Sequence, residues 1–398
     1  MTATLVVVTM SDHTIEPQAG RGPTRGWCPG VLDPMETGDG WLLRIRVPGG
    51  FIAHESLAAV AEISEEFGSG IVDITSRANL QIRGVPAERL DRAACAVVDA
   101  GLADGDARID AFRAVVSSPL TGHDPHAVRD ARPVVDALVT RLASDIVGDA
   151  PSKFGVVIDD GGSWPLDDVN ADIALQACPD DTWAVRVRSR PDHAGRTAHP
   201  LEVIATTTQV CVDEGSRMDR VVALIGLSDL RRRLGLSAPD HRADSRPRTA
   251  GSERLIGVLP HIDEQQANVV AAPFLARVDA ATLTTVSQLA SGHDAALRLT
   301  PDHSIAFCGI RADAAAIVCA ELNALGLVVD NDDPRAQISG CVGSLGCSWA
   351  HADTWAAGHE LAKSAYPTRR VHLSACAKQC GAPALVRQLV ADPAGVFR

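Results

Sequence analysis

The sequence repeats itself at a spacing of 225 residues, and this repeat restricts the possible folds more than any other feature of the chain. When the chain is shifted by this spacing without a gap, Thr75 aligns with Thr300 and Gly84 with Gly309. The other matched pairs are Ile74 with Leu299, Leu80 with Ile305, Ile82 with Phe307, Val97 with Leu322, Gly101 with Gly326 and Leu102 with Leu327. Glycines that close a strand and a helix in the same register indicate an internal duplication.

Each copy has the pattern of a small α+β unit. In the first copy we predict a strand over residues 40–47 and a helix over 54–70 that ends on glycine. A long strand over 71–85 and a second helix over 87–101 follow. This β-α-β-α order is half of a ferredoxin-like unit.

The segments after the two copies are also alike, because residues 151–162 and 367–381 each contain a proline, a basic residue, a strand pattern and then glycine. We therefore predict a pseudo-twofold α+β protein of two fused halves. The predicted units are an N-terminal extension (1–26), a ferredoxin-like half (27–116), an α+β domain (117–235), a linker (236–252), a second ferredoxin-like half (253–335) and a cysteine-bearing domain (336–398). The linker is predicted from its proline, glycine and charge content.

Composition excludes several classes of protein. Hydrophobic residues make up 46% and charged residues 22% of the chain, which is ordinary for a globular protein and unlike a disordered one. The net charge of -13 argues against a nucleic-acid partner. The apolar run at residues 2–10 is too short to span a bilayer and follows no basic region. We therefore predict neither a signal peptide nor a membrane span, and a cytoplasmic location.

The predicted strand 71–85 alternates between apolar and polar side chains. Its polar face carries hydrogen-bond donors over roughly 20 Å, which suits a broad ligand with several carboxylates or phosphates. These side chains are Thr75, Arg77, Asn79, Gln81 and Arg83, and the second copy has Thr300, Asp302, Ser304, Ala306 and Cys308 in their places. Only the first copy is therefore basic enough to bind an anion. The alternative is the ordinary solvated face of a half-buried strand.

Four of the ten cysteines form two close pairs. Cys341 and Cys347 have C-x5-C spacing in a glycine-rich loop, and Cys376 and Cys380 have C-x3-C spacing. In a cytosolic protein such a group predicts metal binding or catalysis before disulfides. Four thiolates can hold an iron–sulfur cubane, and glycines let the backbone bend closely around it. Structural zinc is disfavoured because the first pair is wider than its usual spacing, and four unrelated cysteines are a further alternative.

Taken together, these features resemble the nitrite and sulfite reductase superfamily. The segment "TSRANLQIRG" (75–84) is similar to its T-[ST]-R-x-N-x-Q-x-[RH]-G motif, and the cysteine spacings match those that bind its 4Fe-4S cluster. The segment "WCPGVLDPMETGDGWLLRIRVPGG" (27–50) is most similar to the precorrin-3B synthase family. This resemblance implies oxygen-dependent hydroxylation of precorrin-3A at C20 with γ-lactone formation, in aerobic cobalamin biosynthesis. Residues 336–398 would then form the 4Fe-4S domain.

The resemblance also implies roles for individual residues. Cys341, Cys347, Cys376 and Cys380 match the cluster ligands, and Arg77 and Lys153 match basic residues around the reactive face of the haem in the reductases. We predict Arg77 and Lys153 as catalytic, and Arg77, Asn79, Gln81 and Arg83 as substrate-binding. The reductases' second lysine is replaced by Gly155, and their Arg-Asn segment by residues 117–125, which favours the synthase.

Cofactors and partners follow from the same resemblance. We predict a 4Fe-4S cluster, a second iron centre that is mononuclear and non-haem, precorrin-3A and dioxygen as substrates, and no nucleic acid or membrane. His123, Asp124 and His126 are conceivable ligands of the second iron, although loop histidines are more often solvated. No strand is followed by G-x-G-x-x-G, so NADH would act through a separate reductase or ferredoxin. The alternatives are a siroheme-dependent nitrite or sulfite reductase and a non-catalytic iron–sulfur electron carrier.

Overall fold

A computed structural model of the chain describes residues 28–145, 153–188, 194–238, 254–364, 370–383 and 386–398. The predicted N-terminal extension, residues 1–26, lies outside these ranges, as does most of the predicted linker, 236–252. Within these ranges the structure contains no helix that combines the length and the apolar character needed to cross a membrane.

Short strands and helices are interspersed along the chain. The strands are β1 (Met35–Thr37), β2 (Gly40–Ile45), β3 (Phe51–Ile52), β4 (Ile71–Ile74), β5 (Leu80–Val85), β6 (Val115–Ser117), β7 (Val156–Asp159), β8 (Ile173–Ala177), β9 (Trp183–Val187), β10 (Gly195–Thr197), β11 (Gly257–Leu259), β12 (Gln266–Ala271), β13 (Arg277–Asp279), β14 (Ala296–Leu299), β15 (Ile305–Arg311), β16 (Ile338–Gly340), β17 (Val371–Ser374) and β18 (Arg387–Val390). The α-helices are α1 (His54–Phe67), α2 (Leu90–Asp99), α3 (Ala107–Phe112), α4 (Arg132–Asp145), α5 (Pro200–Asp213), α6 (Met218–Ile225), α7 (Leu227–Arg233), α8 (Ala280–Gly292), α9 (Ala315–Ala324) and α10 (Thr354–Lys363).

Two five-stranded sheets have the same construction, in the orders β1-β2-β5-β4-β13 and β11-β12-β15-β14-β3. Each sheet takes its last strand from the other half: β13 pairs with β4, and β3 pairs with β14. Apolar residues from the inner faces of both sheets and from helices α1, α2, α8 and α9 form one shared core. The predicted duplicated, pseudo-twofold α+β fold is thus confirmed, with the two halves interlocked by exchanged strands.

The prediction of one continuous strand over residues 71–85 is wrong, because β4 and β5 form a hairpin. The Thr75 N–H donates to the carbonyl of Asn79 at 2.8 Å, and Ala78 between them has a φ of 53°. The Thr75 hydroxyl also accepts hydrogen bonds from the backbone of Arg77 and Asn79. The sequence concealed the turn because no glycine, proline or asparagine occupies its left-handed position.

The second copy makes the same turn. The Thr300 N–H donates to the carbonyl of Ser304 at 3.0 Å, and His303 has a φ of 63°. The repeated glycines also keep their backbone conformation, since φ is 68° at Gly84 and 78° at Gly309. Only glycine adopts such values without strain, which explains why it recurs in both copies.

Two further sheets flank this body. One has the order β10-β9-β8-β7-β6, and the other has the order β16-β17-β18. The similar segments 151–162 and 367–381 supply β7 and β17, and each of these strands lies between two parallel neighbours. The outer face of the second ferredoxin-like sheet packs against the first of these sheets through an apolar cluster that includes Val157, Val270 and Ala306. The outer face of the first ferredoxin-like sheet carries polar and charged side chains instead.

Candidate functional site

Arg77 lies in the turn of the β4–β5 hairpin and reaches the loop before β8. Its guanidinium donates to the carbonyl oxygen of Asn170 at 3.3 Å. Burial lowers the pKa of Arg77, the nearby Cys28 thiol opposes this shift, and Arg217 and Arg188 add to it. The turn therefore places the predicted catalytic arginine within a group of guanidinium side chains.

Asp172, the residue immediately before β8, binds members of this group. Its side chain is fully buried and forms an ion pair with Arg217, at 2.5 Å between Oδ2 and Nη2. The same carboxylate accepts the N–H of Gly155 at 3.1 Å, and the backbone carbonyl of Asp172 accepts the N–H of Arg188. Lys153 precedes Gly155 by two residues, so segment 153–155 lies beside segment 170–172, which Arg77 contacts from the first ferredoxin-like sheet.

Arg188 adds a donor without a partner. Its Nε lies 3.8 Å from Asp219, whereas its Nη1 is buried and has no hydrogen-bond partner among the described residues. A buried guanidinium nitrogen in this position is energetically favourable only if an acceptor is supplied. Within the described residues, this nitrogen can therefore take an added acceptor.

Gln81 lies on the polar face as predicted, and it binds a residue that the sequence analysis did not single out. With its amide oxygen turned toward β2, Gln81 accepts from Arg44 Nε at 3.0 Å and from Nη2 at 2.6 Å. Burial lowers the pKa of Arg44 to about 10, and the Cys28 thiol, to which Arg44 is hydrogen-bonded, opposes this shift. The alternating arginines of "LLRIRV" were the available signal for Arg44.

Asn79 and Arg83 do not continue the predicted row of ligand-binding side chains. The Asn79 carboxamide oxygen accepts the N–H of Val47 at 3.0 Å. The Arg83 side chain is 4% exposed and pairs with Asp39 at 2.9 Å and with Asp73 at 3.3 Å. The one-face row over roughly 20 Å is wrong, since the chain reverses at residues 75–79. A part in substrate binding stays a prediction for both residues, and the contacts favour a structural role for Arg83.

The four paired cysteines lie on two neighbouring loops, Cys341 and Cys347 after β16 and Cys376 and Cys380 after β17. All four are free thiols. Burial raises the pKa of Cys380, the adjacent Lys378 lowers it, and the other three thiols raise it. The parallel pairing of β16 with β17 therefore brings together the two cysteine pairs that lie far apart in sequence.

Backbone donors support thiolates at this place. The Ala375 N–H donates to Cys341 Sγ at 3.2 Å, and the pKa of Cys341, which burial raises, is lowered in part by the N–H groups of Ala375 and Gly343. Hydrogen bonds to sulfur of this kind stabilise cluster-bound thiolates. Gly343 has a φ of 65°, which lets the loop turn tightly beside the thiols.

No three His, Cys, Asp or Glu side chains among the described residues are arranged to hold a single metal ion. A single zinc ion needs four ligands that converge on one point. A cubane is different, because each thiolate binds a separate iron at a corner of the cluster. Four neighbouring free thiols around a glycine-rich loop fit that donor set, so these residues fit a 4Fe-4S cluster.

The hairpin connects the cysteine loop with the arginine group. Arg83 Nη2 donates to the carbonyl oxygen of Gly346 at 2.9 Å, and Gly38 donates to the same oxygen at 3.2 Å. From Arg83 to the turn at Asn79, β5 covers roughly 13 Å at the usual rise of a strand. The cluster loop and Arg77 are thus attached to opposite ends of one short, rigid element.

The three conceivable ligands of a second iron do not come together. Asp124 accepts hydrogen bonds from Ser163 and from the backbone of His126, and His126 is exposed. His123 instead contacts His261, a residue that the sequence analysis missed, with 3.0 Å between its Nδ1 and His261 Nε2. The trio is therefore not a metal site within the part of the chain that the structure describes.

The contacts of this histidine pair are used to assign both tautomers. The Asp263 N–H donates to His261 Nδ1 at 2.9 Å, which is shorter than the 3.2 Å from the same nitrogen to the Asp263 carbonyl, so the His261 proton is assigned to Nε2. His261 then donates to His123 Nδ1, which leaves the His123 proton on Nε2. Burial lowers the pKa of His123 to about 4, Arg298, His261 and Arg132 lower it further, and Asp130 opposes them.

We expect the stability of the protein to fall between about pH 6.5 and pH 4 partly because of His123. The unfolded chain takes up a proton near the ordinary histidine pKa of 6.5, whereas the folded state does so only near 4. Partial exposure reduces the loss to about 1 to 2 kcal/mol. Urea unfolding at pH 7.5 and 4.5 measures the loss of unfolding free energy between the two pH values. This loss should be smaller by the same amount in His123→Gln than in the wild type. Equal losses in both proteins would contradict the shift.

Comparisons with known proteins agree with this architecture. Residues 33–95 match the nitrite/sulfite reductase ferredoxin-like half domain. The chain is 32% identical to a precorrin-3B synthase of Sinorhizobium sp. over 377 residues, which cover 90% of this chain and 79% of that protein. It is 25% identical to a sulfite reductase [ferredoxin] of Mycobacterium tuberculosis over 355 residues, which cover 79% of this chain and 61% of the reductase. The fold is similar to the solved structure of the Mycobacterium tuberculosis NirA protein, with a TM-score of 0.71, 21% identity and coverage of 86% of this chain and 69% of that one.

Proposed function

The chain belongs to the precorrin-3B synthase family, within the nitrite and sulfite reductase superfamily, and from this premise we propose that it converts precorrin-3A into precorrin-3B. The proposed reaction is an oxygen-dependent hydroxylation at C20 with formation of a γ-lactone, a step of aerobic cobalamin biosynthesis. The protein is accordingly an oxidoreductase, and the monooxygenase chemistry is the proposed part.

The observation that carries the proposal is the arginine group around Asp172. Arg44, Arg77, Arg188 and Arg217 are linked by mutual electrostatic effects or by contact with Asp172 and Cys28. Among the described residues, Asp172 and the more distant Asp219 do not balance four guanidinium groups, although the whole chain has a net charge of -13. A tetrapyrrole with several carboxylate arms supplies the missing negative charge, and arginine binds carboxylates in bidentate geometry.

Binding and orientation are the tasks of the chain's own residues. Arg77 and Arg44 would bind carboxylates from the side of the first ferredoxin-like sheet, and Lys153 and Arg217 from the opposite wall. Gln81 holds Arg44 in place through its amide oxygen, which restricts the rotamers of the guanidinium. These contacts would hold the macrocycle in one position relative to the cysteine loop.

The cysteine loops would hold the electron-transfer group. Cys341, Cys347, Cys376 and Cys380 would bind a 4Fe-4S cluster, which passes single electrons when bound. The electrons would come from NADH through a separate reductase or ferredoxin. A mononuclear second iron remains part of the proposal, and its ligands lie outside the trio His123, Asp124 and His126.

Turnover of precorrin-3A tests the proposal. We expect anaerobically purified protein, supplied with an electron donor, dioxygen and precorrin-3A, to form a product heavier by one oxygen atom. Labelled dioxygen and mass spectrometry should trace the hydroxyl oxygen to the gas. Nitrite and sulfite should be turned over negligibly, since Gly155 contributes no charged side chain to the site. Bound siroheme with rapid reduction of either anion, and no change in precorrin-3A, would replace the synthase by a reductase.

A further inference from the structure

The outer face of the second ferredoxin-like sheet contains a buried arginine that forms no ion pair with the residues that the structure describes. Arg298 in β14 is 8% exposed, and its guanidinium lies 4.6 Å over the ring of Phe51. One terminal nitrogen donates to the carbonyl of Leu297, whereas Nε has no hydrogen-bond partner within the described ranges. The carboxylates of Asp130 and Asp136 act on its charge from a distance, but neither forms an ion pair with it. A buried charge left in this state is costly, so its presence needs an explanation.

A second unpartnered donor lies close by. The tautomer of His123 places a proton on Nε2, and this nitrogen is buried without a partner among the described residues. Arg298 makes the largest charge contribution to the environment of His123, so the two side chains are neighbours. Arg132, which Asp130 holds with 2.7 Å between Nη2 and Oδ2, lies beside them. Two donors with no acceptor point to an anion rather than a cation.

The two halves of the fold differ in a way that supports this interpretation. The repeat aligns Arg298 with Asp73, whose carboxylate pairs with Arg83 at 3.3 Å and with Arg277 at 3.1 Å. At the position of Arg83 the second copy has Cys308, whose pKa burial raises to about 12, so that it is a neutral thiol. The first copy thus has an acid held by arginines, and the second has an arginine that forms no ion pair with an acid in the described ranges.

We infer that a small oxyanion binds between β14 and residues 120–132, where it accepts hydrogen bonds from Arg298 Nε and His123 Nε2. Its class is a carboxylate or an inorganic anion such as phosphate, because both present oxygen acceptors to a guanidinium and an imidazole N–H. A water molecule could accept both hydrogen bonds but would not neutralise Arg298. The anion would join the second ferredoxin-like half to the domain that contains β6–β10, away from the Asp172 arginine group.

Thermal unfolding of the full chain tests the site without reference to turnover. At pH 7.5 and constant ionic strength, replacement of chloride by phosphate should raise the melting temperature of the wild type by roughly 2 to 4 °C. Acetate should act similarly if carboxylates bind, and a response to phosphate and sulfate alone would identify an inorganic anion. Either response supports the site.

Three variants decide where the anion binds. Arg298→Gln should lose the shift, and in chloride it should melt no lower than the wild type, because removal of an unpaired buried charge is neutral or stabilising. His123→Gln should reduce the shift. Arg77→Ala should keep it in full, which separates this site from the proposed tetrapyrrole site. An equal shift in Arg298→Gln and wild type, or no shift of the wild type with any of the three anions, would overturn the inference.

Discussion

Replacement of Cys376 by serine is expected to remove the visible iron–sulfur absorbance of the anaerobically purified protein and to destabilise its C-terminal domain. Cys376 is one of four thiols on the two loops after β16 and β17. Its charge raises the pKa of both Cys341 and Cys380, so it lies near both. A bound metal centre contributes its binding free energy to folding, so its loss lowers both metal content and stability. Iron and sulfide analysis, absorbance and thermal unfolding measure the result.

Cys95→Ser is the matched control for this experiment. Cys95 is an exposed thiol on α2 and belongs to neither cysteine pair. Its replacement should leave iron, sulfide and melting temperature unchanged. Full iron and sulfide content in Cys376→Ser would show that the four cysteines do not act as one set of ligands.

Arg83→Ala should lower the free energy of unfolding by about 3 to 5 kcal/mol. The substitution leaves Asp39 without its guanidinium partner, removes one of two partners from Asp73 and breaks the hydrogen bond to Gly346 in the cysteine loop. A carboxylate that is left partly buried and unpaired accounts for most of this loss. Urea unfolding measures the free energy, and the iron content should fall because the loop loses its attachment to β5.

Arg77→Ala separates ligand binding from folding in the same hairpin. Arg77 makes one hydrogen bond to a backbone carbonyl, so its removal should change the free energy of unfolding by less than about 1 kcal/mol. Tetrapyrrole binding, followed by absorbance titration, should weaken by about 1 to 3 kcal/mol. Equal stability losses in the two variants would contradict the distinction between a structural Arg83 and a ligand-facing Arg77.

The divergence of the two halves explains why one site serves the proposed reaction. The outer face of the first sheet carries Arg44, Gln81 and Arg83, and Arg83 contacts the cysteine loop. The equivalent face of the second sheet is covered by apolar packing that includes Ala306 and Cys308. A duplicated fold thus keeps its core in both copies, while its two outer faces evolve under different constraints.

Several residues of the site could not be found from local sequence. Arg188 directly follows β9, and Arg217 directly precedes α6. Both come more than a hundred residues after Arg77 in the chain. Their common partner Asp172 is an ordinary polar residue at the edge of a strand until the tertiary structure buries it. His261 likewise becomes a candidate site residue only because the tertiary structure brings it into contact with His123. Such convergence depends on packing between domains, which no local pattern encodes.

The sequence by itself determined the duplication, the α+β class, the positions of β2, α1 and α2 in the first copy, and the two cysteine pairs. These features follow from local rules, because periodicity, positive-φ glycines and ligand spacing act over a few residues. Tertiary structure alone decided the turn within residues 71–85, the exchange of β3 and β13 between halves, and the separation of Arg83 from Arg77. The physical reason is that a turn stabilised by one threonine hydroxyl preserves apolar alternation on both sides, so Ile74 and Leu80 face the same core whether the chain continues or reverses.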